Sequence, residues 1–164
     1  MEICNPKREK SSFYIKDIVD SIKKLLQSQL YAKNIEFINL IDESLEIHNY
    51  KNDLKQVLIN IINNAKEAFI DSNEEKKTIT VDSQKRSHKI VIYIEDSAGG
   101  VDDEIFEKIF DPYVSTKDSQ KGSGLGLYIS KKILEEQLGG EIVCKNTESG
   151  AVFEVVIPYI NQRR

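Results

Sequence analysis

Near the start of the chain, Ile15, Ile18, Val19, Ile22, Leu25, Leu26 and Leu30 recur at helical spacing and predict a helix over 15–30. Residues 35–41 and 45–47 read as short strands. Asn52 can cap a long helix running to about residue 70, with Leu54, Val57, Leu58, Ile61, Ile62, Ala65 and Phe69 on its apolar face. Asp71-Ser72-Asn73 ends it. Two strands follow over 78–83 and 89–95, the second almost wholly apolar and therefore central in a sheet. Asp102-Asp103-Glu104 opens a short helix, acidic in its first turn as the helix dipole favours. A helix over 124–138 stops at Gly139-Gly140, and strands over 141–145 and 151–157 flank a turn containing Ser149-Gly150. There is no internal repeat and no interdomain linker. The pattern predicts one α/β (α+β) domain, a two-layer sandwich whose mixed, largely antiparallel sheet is covered on one face by about three helices.

A chain of 164 residues suffices for one such domain, burying about two thirds of its unfolded surface. The net charge of −4, with lysines and arginines interspersed among acids, gives no basis for nucleic-acid or acidic-membrane binding. No apolar run approaches the roughly 18 residues of a membrane span, and Met1-Glu2-Ile3-Cys4 lacks a signal-peptide core. The expectation is a soluble, cytoplasmic chain without membrane contact. Cys4, Cys144, His48 and His88 are isolated and lack metal-ligand spacing, and Cys144 in its strand reads as a small hydrophobe.

Three polar features interrupt the apolar pattern. On the long helix, Asn60 and Asn64 share a flank roughly 90–130° from the centre of the apolar stripe. Such a flank serves equally as a solvated face or as the edge of a ligand site, where the amide oxygen of Asn64 suits Mg²⁺. Asp96 closes the apolar strand ahead of Ala98-Gly99-Gly100. Its carboxylate can accept from the exocyclic amine of adenine and would repel the carbonyl of guanine. The two glycines permit close approach or positive φ, although this is also an everyday turn. Gly122-Ser123-Gly124-Leu125-Gly126-Leu127 opens a helix whose free N–H groups can hold phosphate, yet its spacing matches neither a Rossmann nor a P-loop motif. Residues 111–123 ahead of that helix form a long polar connection, of a length that is functional or disordered. The stretch from about Ser115 to Lys121 within it is expected to be mobile without nucleotide, with Lys117 and Lys121 available to a terminal phosphate.

In this order the motifs resemble the catalytic and ATP-binding domain of sensor histidine kinases, in the superfamily shared with gyrase, heat-shock chaperone and mismatch-repair ATPases. Residues 56–69 are similar to the N box, Asp96-Ser97-Ala98-Gly99-Gly100 to the first glycine box and Ile109-Phe110-Asp111-Pro112-Tyr113 to the F box. Val114-Ser115-Thr116-Lys117 begins the lid, and residues 122–127 resemble the second glycine box. The resemblance covers roughly residues 12 to 158, including the final Gly150-Ala151-x-Phe153 strand.

It implies a Bergerat-type fold, ATP and Mg as cofactors, and Asn64 as the Mg ligand. It implies nucleotide contacts at Asn60, Asn64, Asp96, Ala98, Gly100, Val101, Ile109, Phe110, Lys117, Gly122, Ser123, Gly124, Leu125, Gly126 and Leu127. Catalytic roles fall to Asn60, Asn64 and Lys117. Ala98 departs from the usual middle glycine of its box, and Glu67 stands where many members carry a basic or polar residue.

The ATPases of the superfamily place a water-activating glutamate one turn before the magnesium asparagine, and this chain has Asn60 there. A neutral amide cannot take a proton, so the resemblance implies a kinase that spares its phosphoryl group for a protein histidine. His48 and His88 lack the acidic residue that follows the acceptor in the family, so the acceptor belongs on a separate helical hairpin of a parent kinase, either soluble or membrane-anchored. A response regulator lies downstream. Residues 1–11 are then a junction with that missing region, 12–160 the ATP-binding domain and 161–164 a tail. The competing reading is a non-catalytic nucleotide-binding or docking module.

Overall fold

The computed structural model describes residues 8–70, 72–114 and 124–159. Its main sheet has five strands in the order β2-β4-β5-β7-β6. These are β2 (Ile35–Asn39), β4 (Lys77–Arg86), β5 (Lys89–Asp96), β6 (Glu141–Asn146) and β7 (Ala151–Pro158). β2 runs parallel to β4, and every other pairing is antiparallel. β5 sits between β4 and β7, which is why its sequence is so apolar: Ile90, Val91, Ile92 and Ile94 are all buried. On its neighbours the period-two alternation survives, with Ala151, Phe153, Val155 and Ile157 of β7 buried and the residues between them partly exposed.

The helices cover one face of that sheet: α1 (Ile15–Leu25), α2 (Gln27–Ala32), α3 (Lys51–Ala68) and α4 (Gly126–Ile133). The α3 stripe is buried as its spacing dictates, from Leu54 through Ala65, with Phe69 just beyond the helix. A separate two-stranded sheet pairs β1 (Ser11–Tyr14) with β3 (Glu46–Asn49).

Several elements differ from the sequence reading. The helix over 15–30 is two helices, because Leu26 takes φ −97° and ψ 3°, although its N–H still reaches Ile22 and its carbonyl still accepts from Leu30. Asn52 is not the cap of α3. The helix starts a residue earlier, behind Tyr50, whose N–H donates to the Asn49 side chain at 2.8 Å. The Asp102 carboxylate accepts from the Glu104 N–H at 3.1 Å, a local turn that delays helix to a single 3₁₀ turn over Phe106–Lys108. α4 begins at Gly126, after the glycine loop, and closes in a π-helical turn over Leu134–Leu138 before Gly139 at φ 70°. β1 has no counterpart in the sequence reading, and ahead of it Arg8 bonds Asp53 at 2.5 Å.

No helix among the described residues is long and apolar enough to cross a membrane.

Candidate functional site

The ends of β5 and α3 frame a cavity of about 500 Å³. α3 contributes Asn64, Glu67 and Ala68, and the segment after β5 contributes Ala98, Gly99, Gly100, Val101 and Asp102. Ile105, Ile109, Leu127 and Phe153 supply an apolar side, and Val114 and Gly124 stand at the mouth of the connection between them. The volume and the mixture of apolar wall and few polar groups suit a small organic ligand.

The turn after β5 is built by its glycines. Gly99 and Gly100 have φ of 93° and 86°, in the left-handed region where a side chain would strain the backbone. Asn146 on β6 fixes the turn from behind: its Oδ1 accepts from the Val101 N–H at 2.8 Å and its Nδ2 donates to the Val101 carbonyl at 3.0 Å. Gly124 (φ 73°) accepts through its carbonyl from the N–H of Tyr113 at 3.1 Å. A Cβ on Gly124 would come within 2.9 Å of Tyr113 backbone, so this close pairing requires glycine.

Asp96 behaves differently from the sequence expectation of a carboxylate on a pocket wall. It is only 4% exposed, and its Oδ1 accepts from the Ala98 N–H at 3.0 Å. Burial pushes its carboxyl above the ordinary range, against the backbone N–H groups of Ala98 and Ala151, which favour the ionised form. It lies directly beneath Ala98, supporting the turn that borders the cavity.

Of the residues expected at the site, Asn64, Ala98, Gly100, Val101, Ile109, Gly124 and Leu127 line the cavity. Asn60, Asp96, Phe110, Leu125 and Gly126 do not. Phe110 stacks edge-on against Phe153 at 6.2 Å, one layer behind the wall. Asn60 turns toward the start of α4, within hydrogen-bonding reach of Gly126 and Ser130. Lys117, Lys121, Gly122 and Ser123 lie outside the described residues. Lys66 points elsewhere: its ammonium donates to the Gln29 side chain across to α2, and burial lowers its pKa.

The sequence reading did not single out Ala68, Asp102, Ile105 or Phe153 as cavity residues. Their positions read as ordinary helix, turn and core, and only the fold brings them together. The charged residues among the described lining are Glu67 and Asp102, both acidic. A polyphosphate entering here would need a cation beside it. The oxygen-rich donors, with Asn64 offering an amide oxygen, fit a hard ion such as Mg²⁺.

Residues 49–161 match the family described as Histidine kinase-, DNA gyrase B-, and HSP90-like ATPase. Sporulation kinase A of Bacillus subtilis (strain 168) is 32% identical over 146 residues, which make up 88% of this chain and 23% of that protein. The chain spans between 18% and 33% of the lengths of three sporulation kinases that it matches. The solved catalytic domain of histidine kinase ThkA is 33% identical with a TM-score of 0.80, covering 92% of this chain and 96% of that one. ThkA in complex with the response regulator protein TrrA is matched at 30% identity and TM-score 0.76, over 94% of this chain and 43% of that one.

Proposed function

The chain belongs to the Histidine kinase-, DNA gyrase B-, and HSP90-like ATPase family, as a catalytic domain of the histidine kinase type, and we propose that it binds Mg-ATP and passes the γ-phosphoryl group to a histidine on a separate hairpin. The observation that supports this reading is one cavity shared by Asn64, the Ala98–Val101 turn, Gly124 and Leu127. Adenine enters against Ala98, Gly100 and the apolar wall, with Asp96 beneath as acceptor for its exocyclic amine. The phosphates run toward the start of α4, where the first N–H groups of a helix favour anions.

Asn64 would hold the Mg²⁺, whose charge offsets that of the phosphates. Lys117, Gly122 and Ser123 complete the phosphate end in this reading. The P–O bond to ADP breaks and a P–N bond to the imidazole forms, and the imidazole proton goes to a base, which the acidic residue following the acceptor on the hairpin supplies. Asn60, being a neutral amide, does not supply it, and equally gives water no base. Hydrolysis is therefore slow and transfer depends on the hairpin. ThkA has been solved with a response regulator, and we assign a response regulator as the downstream acceptor here by analogy.

Calorimetry with ATP, with and without Mg²⁺, tests binding, and incubation with the parent hairpin tests transfer. The expected result is Mg-assisted binding, very slow hydrolysis and acid-labile phosphate on the hairpin alone. Transfer in trans is weak, because the reaction loses the effective concentration of a tether. No binding at millimolar nucleotide would refute the reading. Binding without any transfer would favour a non-catalytic module.

A further inference from the structure

Between α3 and the start of α4, four residues share a closed set of hydrogen bonds. Asn60 Nδ2 lies 3.2 Å from Ser130 Oγ and 3.4 Å from the carbonyl oxygen of Gly126. Ser130 Oγ is 2.8 Å from that same carbonyl, and Gln56 Nε2 is 2.8 Å from Asn60 Oδ1. Ser130 is completely buried.

The two ends of an asparagine amide have the same shape, so its partners decide which end faces where. A backbone carbonyl only accepts. Gly126 therefore takes the one hydroxyl hydrogen of Ser130, its nearer side-chain donor, and refuses an oxygen from Asn60. With its hydrogen committed, Ser130 Oγ can only accept from Asn60. Both partners on α4 thus demand the nitrogen end, and the oxygen end is left to face Gln56.

We propose that Ser130 is a positioning residue for Asn60: it relays the polarity of the Gly126 carbonyl, admits only the amide nitrogen and holds the amide oxygen turned away from α4. The same bonds tie the helix that carries Asn64 to the helix whose start borders the cavity. A carboxylate at position 60 would face the Gly126 carbonyl acceptor to acceptor and would bond Ser130 only by drawing its hydrogen away from that carbonyl, so this arrangement favours an amide there. The orientation stands on the geometry alone; its meaning for phosphoryl transfer rests on the proposed function.

Side-chain amide NMR of the ¹⁵N-labelled chain without nucleotide reads the orientation. Ser130→Ala removes an acceptor of Asn60 Nδ2, so the Nδ2 hydrogens exchange with solvent roughly tenfold faster, the factor of one hydrogen bond. Gln56→Ala removes a partner of the oxygen only and leaves their exchange within about twofold. A further variant keeps the test decisive should Ser130→Ala not fold. Asn60→Asp, though isosteric, melts below wild type, because it loses the nitrogen that both partners on α4 accept from. Nδ2 hydrogens that respond to Gln56→Ala and not to Ser130→Ala, or an Asn60→Asp chain as stable as wild type, would overturn the assignment. A chain that binds no ATP yet passes the NMR test would overturn the proposed function and leave Ser130 in its role.

Discussion

Two substitutions at Asp96 separate supporting the fold from holding the base. The carboxyl is buried, and its Oδ1 accepts from the N–H of Ala98 at 3.0 Å. Asp96→Ala strands that donor, at a cost of about 1–3 kcal/mol. For a chain of this size each kcal/mol moves Tm by about 2–4 °C, so a loss of roughly 2–12 °C is expected. Asp96→Asn keeps an oxygen for Ala98 and fits the same space, so it melts close to wild type. What it changes is the outward end, where an amide nitrogen replaces the acceptor for adenine. ATP binding should fall roughly ten- to a hundredfold, the worth of a hydrogen bond to a charged group.

The pH dependence gives a third reading. Burial raises the carboxyl above its ordinary value of 3.8, so the folded state holds this proton more tightly than the unfolded chain. The contribution of Asp96 to stability is then full below that value and is lost as pH rises through the folded pKa. Asp96→Asn lacks the titration and gains relative to wild type over that window. Urea midpoints from pH 4 to 7, with calorimetry for ATP, measure all three. An Asp96→Asn chain that binds ATP as wild type does would place adenine recognition elsewhere. An Asp96→Ala chain with wild-type Tm would remove its supporting role.

Two other substitutable or reactive positions follow from the same corner of the fold. A Cβ on Gly150 would sit 1.8 Å from the Asp96 carbonyl oxygen, so Gly150→Ala forces β7 from β5. Overpacking of this kind costs about 1–3 kcal/mol or more; thermal melts should show the loss and calorimetry a weakened ATP affinity, whereas an unchanged Tm would contradict the close approach. Burial and the neighbouring Asp96 push the Cys144 thiol up to about 12. At pH 8 roughly one thiol in ten thousand is then ionised, so alkylation of Cys144, followed by mass spectrometry, should run about a thousandfold slower than in urea.

Residues close in sequence that build one element were legible from their spacing, and those that act through a distant strand were not. The α3 stripe is dictated by a local repeat, and Asn64 on its flank reaches the cavity where the helical angle puts it. The glycines at 99 and 100 announced a positive-φ turn, and both take it. β1 escaped because its alternation is four residues long and its partner lies far along the chain, Ser11 opposite Asn49. Asn146 escaped for the same reason: nothing around it in sequence says that its amide will clasp Val101.

The burial of Asp96 shows the limit most clearly. A carboxylate at a strand end looks exposed when only its own strand is considered. Its burial comes from β7, which can close over it because residue 150 has no Cβ to hold the backbones apart. The Gly150-Ala151-x-Phe153 pattern therefore carries more than a turn. Gly150 lets β7 seal Asp96, Ala151 stands opposite it in the β5–β7 pairing, and Phe153 continues the same strand into the cavity wall. A substitution on the far side of the sheet can thus reach the adenine end of the cavity without touching a nucleotide, through the backbone contact alone.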